Sequence, residues 1–163
     1  MAYQILTSIG IISSDENNIT YHITKEIFIK SAYEVIYGNK EGTMNILYSK
    51  DNLVLIMELN SKTIKSVLNL GLCFDVLILS SLKEEDYRNP YVKSMADKVK
   101  YIIMDIDESN SMHILEENTE ALIITYGLNK KATITASSFN ISNNIEFNLC
   151  LQREYKLIEL ASL

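Results

Sequence analysis

Three acidic segments hold the side chains best suited to chemistry. Glu58 closes the apolar run LVLIM (Leu53 to Met57) and is followed by LNSKT. EED (Glu84 to Asp86) follows a second apolar run, and DIDES (Asp105 to Ser109) closes a third. If those runs are parallel strands, their carboxyl ends share one edge of a sheet, where open α/β sheets take up ligands. Carboxylates gathered there could bind a hard divalent cation through oxygen. They could equally cap the helices that follow, or form a solvated acidic turn ahead of Pro90.

The other reactive types are scattered. Cys73 and Cys150 sit in apolar contexts, LGLCFDV and FNLCLQR, and read as buried structural thiols. His22 and His113 are isolated, so neither completes a zinc site with them. The sequence has no GxSxG, HExxH, CxxC, GxGxxG or GxxxxGK[ST] motif; YGNKEGT (Tyr37 to Thr43) has similar letters in an order that cannot place a Lys behind a glycine nest.

The elements that must position the acidic groups read as alternating strands and helices. Strands are expected at Gln4 to Ser13, Leu53 to Leu59, Phe74 to Ser80, Tyr101 to Asp105, Ala121 to Tyr126 and Ala132 to Phe139. Helical spacing marks Lys25 to Tyr37, Ser61 to Leu70, Tyr91 to Val99 and Ser111 to Glu117. Alternation implies parallel pairing with right-handed crossovers. Asn18 to His22 reads as half of a local hairpin, NKEGT (Asn39 to Thr43) as a loop, and EGTMNILYS as a short helix. From Ala132 onward strand follows strand, through an ISNN turn (Ile141 to Asn144), IEFNLCLQR and EYKLIEL. The expected fold is therefore a single α/β domain over 1–163, with a mostly parallel sheet flanked by helices and a small antiparallel sheet over 131–163.

With 163 residues, 47% hydrophobic and 22% charged, the chain can bury a sizeable core. Its formal charge of −6 argues against a nucleic-acid or anionic-lipid partner. The apolar runs fall short of the roughly 20 residues a membrane helix needs, and residues 1–12 do not resemble a signal peptide, so a cytoplasmic location without membrane insertion is expected.

The order of segments resembles the central domain of the Mur ligases, the ATP-dependent enzymes that add amino acids to peptidoglycan precursors, and is most similar to the branch adding the third residue. TSIG (Thr7 to Gly10) resembles the family's GTxG segment, and HITK (His22 to Lys25) falls where a substrate segment lies. LIMELNS (Leu55 to Ser61) resembles the strand ending in MEVSS, and FDVLILSSLKEEDYR (Phe74 to Arg88) the FDxxxxTNLxxDHLD segment. MADK (Met95 to Lys98), IIMDID (Ile102 to Asp107) and IITYGLNKKATITASSF (Ile123 to Phe139) continue the series.

The resemblance implies Glu58 and Lys98 as metal-site residues and His22 and Thr24 as substrate-binding residues. It also marks departures. Glu85 and Asp86 stand where the family has Asp-His, the phosphate loop is expected to lie just upstream of the first residue, and no closing C-terminal domain is expected. No catalytic residue is expected, and no cofactor for the isolated chain; Mg and ATP enter only if a partner chain completes the site. The implied role is a non-catalytic binding or regulatory module for a protein partner or cell-wall precursor. The alternatives are one component of a split ligase, or an unrelated interaction protein.

Overall fold

The structure, a computed structural model, describes residues 5–39, 44–46, 53–115, 120–141 and 145–152. Among them nine strands form one sheet. In chain order the elements are β1 (Ile5–Ser13), α1 (Ile19–Lys30), β2 (Glu34–Gly38), β3 (Met44–Ile46), β4 (Leu53–Leu59), α2 (Thr63–Asn69), β5 (Val76–Ser80), α3 (Glu84–Tyr87), α4 (Pro90–Ala96), β6 (Tyr101–Asp105), a 3-10 turn (Ser111–Leu115), β7 (Leu122–Gly127), β8 (Ile134–Ile141) and β9 (Ile145–Leu151). The strand order is β3-β2-β4-β1-β5-β6-β7-β8-β9. Pairing is parallel from β2 through β8 and antiparallel at the two edges, β2 with β3 and β8 with β9. The expected antiparallel C-terminal segment is the β8–β9 pair, which extends the edge of the main sheet.

β4 is buried along its whole length, as a central parallel strand covered on both faces must be. Alternate residues serve two cores. Leu55, Met57 and Leu59 pack with Ile64 and Val67 of α2 and with Val92 and Met95 of α4. Val54 and Ile56 pack with Ile9, Ile11 and Tyr21 on the opposite face, which α1 covers. The β1 crossover thus runs toward β2 on one face, and those leaving β4, β5 and β6 run the other way on the other. This reversal around β1 makes the carboxyl ends of β4, β1 and β5 the crevice of a doubly wound sheet.

Three local expectations are corrected. Asn18 to His22 is no hairpin strand: the Asn18 side chain accepts the Tyr21 N–H at 3.0 Å and caps α1. The helix expected over Lys25 to Tyr37 begins earlier and stops at Lys30; Ala32 turns the chain with φ +62°, and the β-branched and aromatic residues after it form β2, paired with β4. The segment read as a short helix contributes β3. The EYKLIEL run and all of ISNN after Ile141 lie outside the described residues. Among the described residues no helix is long and apolar enough to cross a membrane.

Candidate functional site

The crevice contains a cavity of about 370 Å³. Its walls come from three loops, each following a strand: Ser14 to Glu16 after β1, Asn60 to Lys62 after β4, and Lys83 to Asp86 after β5. The loops are tied together. The Ser14 hydroxyl donates to the buried Asp86 carboxylate, which also accepts the Lys83 N–H at 3.1 Å, and the Ser14 N–H donates to the Ser81 carbonyl at 3.4 Å. Asn60 Oδ1 accepts the N–H groups of Lys62 and Thr63 at 2.9 Å each, which starts α2. Asp15, Glu16, Glu85 and Asp86 line this space against Lys62 and Lys83, so acid outnumbers base at its wall.

β1, the loop after it and α1 form the strand–loop–helix unit that in phosphate-loop proteins carries GxxxxGK[ST]. This corrects the expectation that such a loop would precede the chain: its place in the sheet is occupied by Ser14 to Asn18. In that motif the final Gly, Lys and Ser or Thr sit at the helix start, where this chain has Asn18, Ile19 and Thr20. Ile19 is 68% exposed, the Thr20 hydroxyl lies 2.8 Å from that of Ser80, and Asn18 Oδ1 occupies a helix N–H. Asp15 donates its own N–H back to the Ser13 hydroxyl at 3.1 Å. A phosphate cradle needs outward-pointing backbone donors and a cation. Here the N–H groups of Ser14, Asp15 and Tyr21 are satisfied internally and two carboxylates border the loop.

The four residues singled out from sequence do not converge. Glu58 lies at the carboxyl end of β4 as expected and is buried, but on the α1 face. Its charge acts on Tyr21, whose hydroxyl is pushed up to about 12, first by burial and then by Glu58 and Tyr37. Lys98 is exposed in the turn between α4 and β6, at the amino edge of the sheet. Because β4 and β6 run the same way, the length of a strand, roughly 17 Å for five residues, separates it from the Glu58 edge. Glu58 and Lys98, both implied as metal-site residues, thus lie at opposite edges of the sheet. The paired lysine at that edge is Lys100, whose Nζ donates to Asp75 at 2.7 Å. His22 and Thr24 lie within α1, not in an extended substrate segment. His22 is exposed and edge-on to Tyr21 at 5.3 Å. Thr24 donates to the Thr20 carbonyl at 2.7 Å and faces an apolar cavity of about 220 Å³ with Phe28, Ile78 and Ile103. Among the described residues no three His, Cys, Asp or Glu side chains group to hold a metal ion.

A second polar cluster was not anticipated. The Tyr87 hydroxyl donates to Glu108; burial and then that contact raise its pKa above the ordinary phenol range. Tyr126, at the end of β7, is also raised, first by burial and then by Asp105, while a hydrogen bond to Ser80 opposes the shift. Thr20, Ser80 and Tyr126 thus link the start of α1 to the end of β7. DIDES marked one half of this cluster in sequence; the two tyrosines carried no spacing signal. Nearby, Asp107 accepts the N–H groups of Leu128 and Asn129, the latter at 3.0 Å, and holds the YGLNKK turn in place.

No protein-family model matches the chain. A UDP-N-acetylmuramoyl-L-alanyl-D-glutamate–2,6-diaminopimelate ligase from Oceanobacillus iheyensis is 27% identical over 127 residues, taking in 67% of this chain and 26% of that protein. A solved structure of a ligase of the same description superposes with a TM-score of 0.72 at 12% identity, covering 92% of this chain and 38% of the other. The chain thus spans well under half the length of either. In sequence and in fold it is a Mur ligase-like α/β domain.

Proposed function

We infer that the chain is a binding or regulatory module built on a ligase-like domain, and that it does not form an acyl phosphate by itself. One observation carries the reading: the loop from Ser14 to Asn18 stands at the phosphate-loop position with Asp15 and Glu16 beside it and Ile19 where a lysine would stand. Ligation through an acyl phosphate depends on neutralising phosphate charge. Two carboxylates at the loop oppose that. The likeness to a UDP-N-acetylmuramoyl-L-alanyl-D-glutamate–2,6-diaminopimelate ligase suggests a cell-wall precursor as the ligand class, and Lys62 and Lys83 in the carboxyl-edge cavity suit its acidic groups.

Calorimetric titration of the full chain with Mg-ATP tests this: no saturable heat is expected up to millimolar nucleotide. Micromolar binding would overturn the reading. A second reading, a component of a split ligase, is favoured by the ligase-like fold. It requires Mg-dependent ATP hydrolysis that emerges only on mixing with a copurifying partner chain.

A further inference from the structure

The apolar cavity of about 220 Å³ lies on the α1 face of the sheet, away from the carboxyl-edge crevice. Val76 and Tyr101, at the starts of β5 and β6, and Ile78 and Ile103, at their middles, form its floor; Phe28 of α1 and Tyr33 just after it form a wall. The strand order explains why a cavity opens there. The crossovers after β4, β5 and β6 run on the α2 and α4 face, so among the described residues α1 alone covers the other face, and it packs over β4 and β2. Lys25 reaches over the Tyr37 ring of β2 at 4.8 Å. At 100° per residue Ile23 and Ile27 fall on the opposite flank of the helix, toward β5 and β6, where they are 54% and 57% exposed. They extend the apolar surface beside the cavity.

The lining decides what chemistry can enter. Among the described residues no charged side chain borders the cavity, so a phosphate or carboxylate would be desolvated there without a cation. Thr24 spends its hydroxyl on the Thr20 carbonyl at 2.7 Å. An apolar void of this kind stays dry, and its lining lacks contacts on one side. A ligand that fills it restores those contacts and strands no polar group. Size bounds that ligand: an apolar cavity of roughly 150 Å³ holds benzene, so one of about 220 Å³ has room for a second fused ring. Shape favours a ring over an alkyl chain. Phe28 and Tyr33 meet edge-on, with centroids 5.4 Å apart and planes at 79°, and Tyr101 adds a third ring from the floor. Aromatic walls give an inserted ring edge-to-face contacts beyond its buried area. We propose that the cavity is a binding site for a neutral aromatic group of one or two fused rings.

Indole is the probe. The chain has no Trp, so emission excited beyond the tyrosine band reports indole alone. Titrating indole with the full chain should give a saturable blue shift with one site per chain and submillimolar half-saturation, in keeping with about nine heavy atoms. Ile103→Phe, which fills the cavity, should weaken binding ~10-fold or more. Ile78→Phe replaces it if Ile103→Phe lowers the far-UV circular dichroism. Indoleacetate, which adds a negative charge, should bind ~10-fold more weakly than indole. Leu149→Lys, on the exposed β9 strand, should leave indole binding unchanged. The proposal is overturned if no saturable shift appears, if the shift survives both filling substitutions, or if Leu149→Lys abolishes it. Displacement of indole by octanol at lower concentration would overturn the aromatic assignment and make the site one for an alkyl chain.

Discussion

At the scale of single residues, one glycine and one carboxylate fix the end of the parallel sheet. Gly127 closes β7 with φ +152°, and a Cβ built on it would lie 2.7 Å from the Asp107 carboxylate. That carboxylate is the acceptor for the turn that follows. Gly127→Ala therefore meets both an unfavourable backbone and a group that cannot retreat without leaving two N–H groups unpaired. We expect a loss of about 1–3 kcal/mol, read from urea unfolding. If the clash is the cause, Asp107→Ala costs much less in the Gly127→Ala background than in the parent, a coupling that a double-mutant cycle measures. Additive losses would place the cost elsewhere. By the same reasoning YGLNKK is a scaffold turn whose geometry is set by Asp107, 21 residues before Leu128 and 22 before Asn129.

At the scale of elements, what the sequence disclosed depended on burial. β4, β5 and β6 were legible because LVLIMEL, VLILS and YIIMD are apolar runs bounded by polar residues, as a covered parallel sheet requires. Glu58 was correctly placed at a strand end for the same reason. α1 was misplaced because ITYHITKEIFIK mixes β-branched residues with polar ones, and its start rests on one side chain, Asn18, rather than on periodicity. β2 was absorbed into that helix because EVIYG follows it with no Gly or Pro; the break is the left-handed Ala32. Lys98 was misassigned because a distance along the sequence does not say which edge of a sheet a turn occupies. Tyr87 and Tyr126 meet only through the strand order. The weight placed on Asn18 is testable. Its Oδ1 caps the helix, while its buried Nδ2 has no hydrogen-bond partner. Asn18→Ala should cost about 1 kcal/mol. Asn18→Ser keeps an acceptor and removes the orphaned donor, and should stay within a few tenths of the parent in thermal or urea unfolding. Equal losses for both would show that the cap is not what starts α1.

At the scale of the whole molecule, the sheet separates two cores that share β4 but few side chains, and each holds a buried tyrosine. Tyr21 belongs to the α1 core and Tyr87 to the core beneath α2 and α4, while Tyr126 sits among the groups at the carboxyl edge. All three hydroxyls have raised pKa values, with Tyr21 at about 12, because burial and nearby carboxylates disfavour the phenolate. A raised acid binds its proton more tightly in the folded state, so its stabilisation is complete below the ordinary phenol value near 10 and is lost as pH climbs through the folded values. Stability should hold flat to about pH 10 and then fall through pH 12. The absorbance of Tyr21, Tyr87 and Tyr126 should rise together with loss of circular dichroism. If the nine strands and both helix layers form one cooperative unit, Tyr21→Phe and Tyr87→Phe, one from each core, each remove one phenol from that late step and leave its midpoint common to the rest. Two separated late steps, one abolished by each variant, would instead show that the faces unfold independently and that the shared β4 does not couple them.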